Sequence, residues 1–189
     1  MPIYNIFTEH SLGISHSGEI MCSGYGEVEL TEEEVQQLVN LIKENDGQTD
    51  VEALGLEEKY PDIYEKLDDA FRDAAYHAEY CHWVIEGYEN GYYDVDTDEV
   101  IAKCEEHYGF KFDPEEYKDE DLDDEEMDED YFEDAKSEAF DKWLEEYRRT
   151  LDEDEEVAFL ADVFCLSPEI DGADYEVELP PDIIEMAQE

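Results

Sequence analysis

The 189-residue sequence predicts an α+β fold, mostly helical, with a small and mostly antiparallel sheet formed from its N- and C-terminal segments. Three observations predict it. Apolar residues recur at helical spacing through most of residues 31–166. Short alternating segments punctuated by Gly precede them. The tetrapeptide Glu27-Val28-Glu29-Leu30 returns as Glu176-Val177-Glu178-Leu179, each copy soon after a Tyr and just before a turn and an apolar helix start.

The elements follow in order. Residues 3–7 and 19–22 read as strands, with Gly13, Gly18, Gly24 and Gly26 between and after them. Residues 27–30 alternate polar and apolar, as a half-buried strand does. Thr31 and Glu34 form a capping box ahead of Val35, Leu38, Val39 and Ile42, and Asn45-Asp46-Gly47 stops that helix. A second box, Thr49 with Glu52, starts a short helical turn that ends at Gly55. Pro61 suits a first helical position. Tyr60, Tyr64, Leu67, Phe71, Ala74, Ala78, Cys81, Ile85 and Tyr88 then alternate steps of four and three, a seam down one long helix that ends at Asn90-Gly91. The seam predicts a central core helix, and a homodimer through helix 61–88 is its alternative use. Asp96 with Glu99 caps a helix over 97–107, and Gly109 ends it. Asp113 and Pro114 open another turn. Phe132, Ala135, Ala139, Phe140, Trp143, Leu144, Tyr147 and Leu151 form an apolar stripe with acids on the other faces. Residues 151–166 read as one more helix, broken by Ser167-Pro168. Residues 174–189 read as a strand and a short helix. The whole reads as a single domain over 1–189, with a mobile acidic connection near 118–124.

Charge excludes more than any motif. Asp and Glu number 60 against 11 Lys and Arg, a formal net charge of −49. Low hydropathy with such charge ordinarily means disorder. Here 41% of residues are hydrophobic and 13% aromatic, enough for a core at this length. The charge is spread out. Residues 1–110 carry net −22, residues 111–160 carry −18 and residues 161–189 carry −9. An acidic tail on a neutral domain would not give that distribution. Direct binding to nucleic acid or to an anionic membrane is opposed by Coulomb repulsion, and a basic protein partner is favoured. With no charged and apolar leader, no membrane-length apolar run and four scattered cysteines without a CxxC, the sequence reads as cytoplasmic and reduced.

Specific chemistry is sparse. Asp94, Asp96 and Asp98 with Glu105 have the carboxylate spacing of a calcium loop, but Glu99 stands where the loop needs Gly. His77 and Cys81 with Cys104 and His107 have zinc-compatible spacing on two helices, although Cys81 falls in the apolar seam. No nucleophile motif or phosphate-binding Gly loop is present. The sequence therefore predicts a non-enzymatic protein without cofactor or metal.

The densest acidic stretch is KDEDLDDEEMDEDYFED, residues 118–134. Duplex DNA carries about one phosphate per ~1.7 Å of axis, and its binding proteins aim Lys and Arg at that charge. A rigid acidic surface competes for the same groove. Exposed acids at i and i+4 lie ~5–6 Å apart on a helix face. If helical, residues 113–151 would extend roughly 50–60 Å. A charge of −49 matches the phosphates of about 24 base pairs. In charge, size and helical acidic faces the chain resembles the DNA-mimic class of inhibitors, small acidic phage or mobile-element proteins. The resemblance implies anti-restriction or anti-CRISPR activity against a DNA- or RNA-binding protein. Local density, not a family motif, selects the expected partner-facing residues. They are Asp119, Glu120, Asp121, Asp123, Asp124, Glu125, Glu126, Asp128, Glu129 and Asp130, extended along one helix by Glu133, Asp134, Glu138, Asp141 and Glu145. An acidic chaperone or adaptor for a basic protein, or a haloadapted domain, are the alternative readings.

Overall fold

Strands β1 (Ile3–Ser15) and β2 (Gly18–Glu29) pair as an antiparallel hairpin. The computed structural model describes residues 1–15, 18–118 and 129–189. Among the described residues eight α-helices follow the hairpin: α1 (Glu32–Glu44), α2 (Val51–Leu54), α3 (Leu56–Lys59), α4 (Pro61–Glu89), α5 (Thr97–His107), α6 (Glu129–Arg148), α7 (Glu153–Val163) and α8 (Pro181–Gln188). A 3-10 turn, Pro114–Tyr117, lies between α5 and α6. The class is α+β. The chain divides into two units, Met1–His82 with Glu169–Glu189, and Trp83–Pro168.

In the first unit the hairpin sorts its side chains with period two, as the pleat requires. Tyr4, Ile6, Thr8 and His10 are buried, and their register partners are Val28, Gly26, Gly24 and Cys22. The intervening residues face solvent. Glycine at 24 lets the hairpin approach the backbone of α4. A Cβ there would fall inside van der Waals contact with the Ala74 carbonyl oxygen, 2.9 Å from its carbon and 3.0 Å from Thr8 Cγ2. His10 Nε2 lies 3.0 Å from Glu79 Oε1 on α4, and both side chains are buried. This ties a polar residue of the sheet to a polar residue of the helix where each would otherwise be costly to bury.

The α1 box forms as expected: Glu34 N donates to Thr31 Oγ1 (3.2 Å) and Thr31 N to Glu34 Oε2 (2.7 Å). Gly47 N closes the far end on Ile42 O (2.9 Å), with Asp46 and Gly47 left-handed at φ +56° and +82°. The cap of α2 differs from expectation. Asp50, not Thr49, accepts from Ala53 N (2.6 Å), because a carboxylate one residue nearer the helix is the stronger acceptor. Leu38, Ile42, Leu54, Leu56, Leu67, Phe71, Leu179 and Ile183 make one core with the inner hairpin face. The first part of the α4 seam packs within the chain: Leu67, Phe71 and Ala74 belong to that core, and Tyr60 and Tyr64 pack against it.

The expected C-terminal strand is not one. Residues 173–180 have no strand structure, and the described sheet holds only β1 and β2. Alternation nevertheless describes their burial: Tyr175 and Val177 are half-buried and Leu179 is buried, while Glu176 and Glu178 are exposed. Leu179 fills the core and Tyr175 Oη donates to Asp68 Oδ1 (3.1 Å), so side chains hold this segment without a backbone ladder.

The second unit is built on aromatic rings. Phe140, Trp143 and Tyr147 recur on one side of α6, with Trp143 stacked on Tyr147 at 4.9 Å. Phe110 meets Phe140 and Trp143 at 5.3 and 5.4 Å, and Phe159 of α7 meets Tyr147 at 5.0 Å and Tyr108 at 4.9 Å. Asp152 caps α7 in a box with Glu155, so the helix starts at Glu153 and not at the expected Leu151. The boundaries of α5 match the expected 97–107. No described helix is long and apolar enough to cross a membrane.

Gly24→Ala is expected to destabilise the chain by about 1–3 kcal/mol, because backbone must move to admit the methyl. Gly172→Ala, whose added Cβ meets nothing within 4 Å, is the control and should stay within about 0.5 kcal/mol. Urea unfolding followed by circular dichroism measures both.

Candidate acidic interface

Of the residues expected to face a partner, Asp119, Glu120, Asp121, Asp123, Asp124, Glu125, Glu126 and Asp128 lie outside the described residues. Glu129 is the first residue of α6. Asp130, Glu133, Asp134, Glu138, Asp141 and Glu145 are all on α6 and all exposed.

The aromatic stripe sets their direction. Phe140, Leu144, Trp143 and Tyr147 turn one side of α6 inward, so the opposite side must face water. Asp130, Asp134, Glu138, Asp141 and Glu145 follow at steps of four, four, three and four and make one outward stripe. Glu133 sits to its side. The stripe is about 22 Å long at 1.5 Å per residue, one carboxylate per ~5 Å. A single DNA strand offers one phosphate per ~3.4 Å and the duplex one per ~1.7 Å. The described stripe alone is thus thinner than duplex charge.

The scarce cations do not cover it. Lys136 pairs with Glu105 on α5 (3.1 Å), and Arg148 pairs with Glu156 on α7 (2.6 Å) while its guanidinium sits 4.6 Å from the centre of the Tyr88 ring. Arg149 does reach Glu145 (3.3 Å), with both side chains 73% exposed. Sequence density missed that pairing, although the i, i+4 spacing signals it. Asp130, Asp134, Glu138 and Asp141 have no ion pair among the described residues.

Among the described carboxyls, Asp162 and Glu34 carry shifted proton affinity. The Asp162 carboxyl is held below the usual range by a hydrogen bond from Lys103 Nζ (2.7 Å) and another from Tyr108 Oη (2.7 Å), against a smaller effect of burial. Tyr108 itself is pushed up to about 12 by burial and by that carboxylate. Burial pushes the Glu34 carboxyl up, but hydrogen bonds from Lys66 Nζ (2.7 Å) and from Thr31 together outweigh it and leave it low.

The first unit contains an acid-lined cleft that the sequence did not disclose, because its walls come from residues 50–64 and 176–177. It has a volume of about 550 Å³. Asp50, Glu52, Glu57, Glu58 and Glu176 supply carboxylates around Val51, Leu56, Tyr64 and Val177. Such a lining suits an ammonium or guanidinium group on an aliphatic stem.

The calcium-like spacing resolves into local structure. Asp96 caps α5 by accepting from Asp98 N (2.9 Å), which places Asp98 inside a helix instead of a ligand loop. Cys104 is fully buried, and burial pushes its thiol up to about 11, while His107 in the last turn of α5 is exposed. Cys81 Sγ lies 3.5 Å from His77 Nε2 one turn away on α4. Cys22 is likewise raised to about 11, by burial and then by the charge of Glu79. Thiols at that value stay protonated at neutral pH and are poor nucleophiles.

Two outcomes follow from these affinities. A carboxyl held low contributes stability above its unfolded value, and that contribution disappears as pH falls through the folded value. Asp162→Asn should therefore be less stable than the parent at pH 7, by under about 1 kcal/mol for so exposed a pair. The difference should close below about pH 4 in melts across a pH series. With a maleimide at pH 8, exposed Cys165 should label first, and Cys22 and Cys104 only on addition of denaturant, as read by mass spectrometry.

Comparison with protein-family models, with curated proteins and with solved structures finds no match for this chain.

Proposed function

We propose that this chain is a non-enzymatic inhibitor whose acidic surface imitates nucleic-acid charge and occupies the cationic groove of a DNA- or RNA-binding protein, such as a restriction enzyme or a CRISPR effector. The observation that carries the reading is the use of the cations. Lys66, Lys103, Lys136 and Arg148 are taken up by acids of neighbouring helices, and Asp130, Asp134, Glu138 and Asp141 of the outward stripe of α6 have no ion pair among the described residues. A fixed array of carboxylates needs no ordering when a partner arrives, so little of its attraction is lost to entropy. The described stripe alone is sparser than duplex charge, and the reading rests on the acidity of the whole chain, net −49, together with it.

A second reading, an acidic chaperone or adaptor for a basic protein, draws on how the charge is divided. The first unit holds 27 acids and 4 bases, net −23, and the second 33 acids and 7 bases, net −26. Charge that even suits a partner wrapped from several sides as well as one groove filled by one band.

Stoichiometric titration against a purified restriction endonuclease, an RNA-guided nuclease and a histone dimer separates the two. The mimic reading expects inhibition of a nuclease, displacement by duplex DNA and a log–log salt slope of several units. Single neutralisations on α6 should change affinity less than about threefold. Changing Asp130, Asp134, Glu138 and Asp141 together to Lys should abolish binding and leave the circular dichroism spectrum unchanged. Binding to histone alone, with no effect on either nuclease, would sink the mimic reading in favour of the chaperone.

A further inference from the structure

The outer face of the β1–β2 hairpin carries a second kind of surface. Its rungs run Ile3 with Glu29, Asn5 with Glu27, Phe7 with Tyr25, Glu9 with Ser23 and Ser11 with Met21. Ile3, Phe7, Met21 and Tyr25 are 54, 40, 51 and 78% exposed, and the Phe7 and Tyr25 rings touch at 5.0 Å. Isolated exposed apolar residues are ordinary, but four large ones on one sheet face, two of them in contact, mark a candidate interaction surface. Alternate rungs stand ~6.8 Å apart. Along the face an apolar residue, a carboxylate (Glu27), an aromatic pair, a carboxylate (Glu9) and an apolar residue (Met21) succeed one another at that step.

Charge selects the occupant. A second copy stacked about the Phe7–Tyr25 rung would bring its Glu9 and Glu27 onto those of the first, and each chain carries −49. Phosphates of nucleic acid or anionic lipid meet the same repulsion. We propose that this face docks an extended basic segment of a partner protein, with apolar side chains over Ile3, Phe7–Tyr25 and Met21 and Lys or Arg over Glu27 and Glu9. Residues i, i+2, i+4, i+6 and i+8 of one strand have that spacing. The inference rests on the proposed function only in taking the partner to be basic, and it supplies a short-range contact that distributed charge lacks.

The test uses the full chain and two nine-residue peptides of equal composition. One places Leu, Lys, Tyr, Lys and Leu at alternate positions with Ser between. The other groups the two Lys side by side. Titrations followed by amide chemical shifts at about 150 mM salt should concentrate the changes on 3–9 and 21–29. The alternating peptide should bind about tenfold tighter than the grouped one. Phe7→Thr with Tyr25→Thr replaces two aromatic strand formers with β-branched ones and should remove that preference. Glu9→Gln with Glu27→Gln, which alters only exposed charges, should do the same should the first pair fail to fold. Equal affinity for both peptides, or shifts spread over the acidic surface, would overturn the proposal. Failure of duplex DNA to displace a nuclease touches only the mimic reading. Loss of the peptide preference with DNA displacement intact touches only the hairpin.

Discussion

At neutral pH the chain carries 60 carboxylates against 11 cations, and Coulomb repulsion among them opposes any compact state. The fold meets this in two ways. Apolar and aromatic residues are gathered into continuous packing in each unit. Four of the eleven cations join one helix to another: Lys66 of α4 to Glu34 of α1, Lys103 of α5 to Asp162 of α7, Lys136 of α6 to Glu105 of α5, and Arg148 of α6 to Glu156 of α7. Each such pair is modest alone. Placed between helices, it removes a repulsive contact where two negative surfaces approach most closely. Salt screens the remaining repulsion, with a Debye length near ~8 Å at physiological strength.

The same economy determines what the surface presents. Lys136 and Arg148 of α6 are directed to acids of α5 and α7, and among the described residues Glu145 alone of the outer stripe has an ion pair, with Arg149. The ring stack of Phe110, Phe140, Trp143, Tyr147 and Phe159 fixes the rotation of α6 about its axis, and with it the direction of that stripe. Core packing and the direction of the acidic stripe are therefore one structural fact seen from opposite sides of a helix.

Much of this was legible in the sequence, for a local reason. The box at Thr31 and Glu34, the limits of α5 and the end of α4 at Asn90-Gly91 depend on contacts within one or two turns. What was not legible depends on distant partners. Thr8 and His10 point inward because Glu79, some seventy positions on, receives His10, while Phe7 and Tyr25 point outward. Polar-in and apolar-out positions hide the strand period, so the sequence suggested short strands where the hairpin runs long. Residues 175–179 mislead in the opposite sense. Their alternation is real, but it records packing against a core and not pairing in a sheet. Among the site residues, the exposure of the acids on α6 followed from its apolar stripe. The acid-lined cleft did not, since Glu176 and Glu57 meet only in the fold.

Charge explains attraction better than it explains choice. A surface that is net −23 on one unit and −26 on the other draws any cationic protein, and it does so at long range and with little regard to shape. Discrimination among basic partners requires contacts that operate only at close range and that a wrong partner leaves unfilled. Two described features have that character, the acid-lined 550 Å³ cleft and the Phe7–Tyr25 face of the hairpin. Both set carboxylates beside apolar side chains, and both lie in the first unit, whereas the α6 stripe belongs to the second. A partner held by the stripe alone would be released by salt. One that also fills an apolar site would keep a salt-resistant share of its affinity, and that share would distinguish a selected partner from any cation.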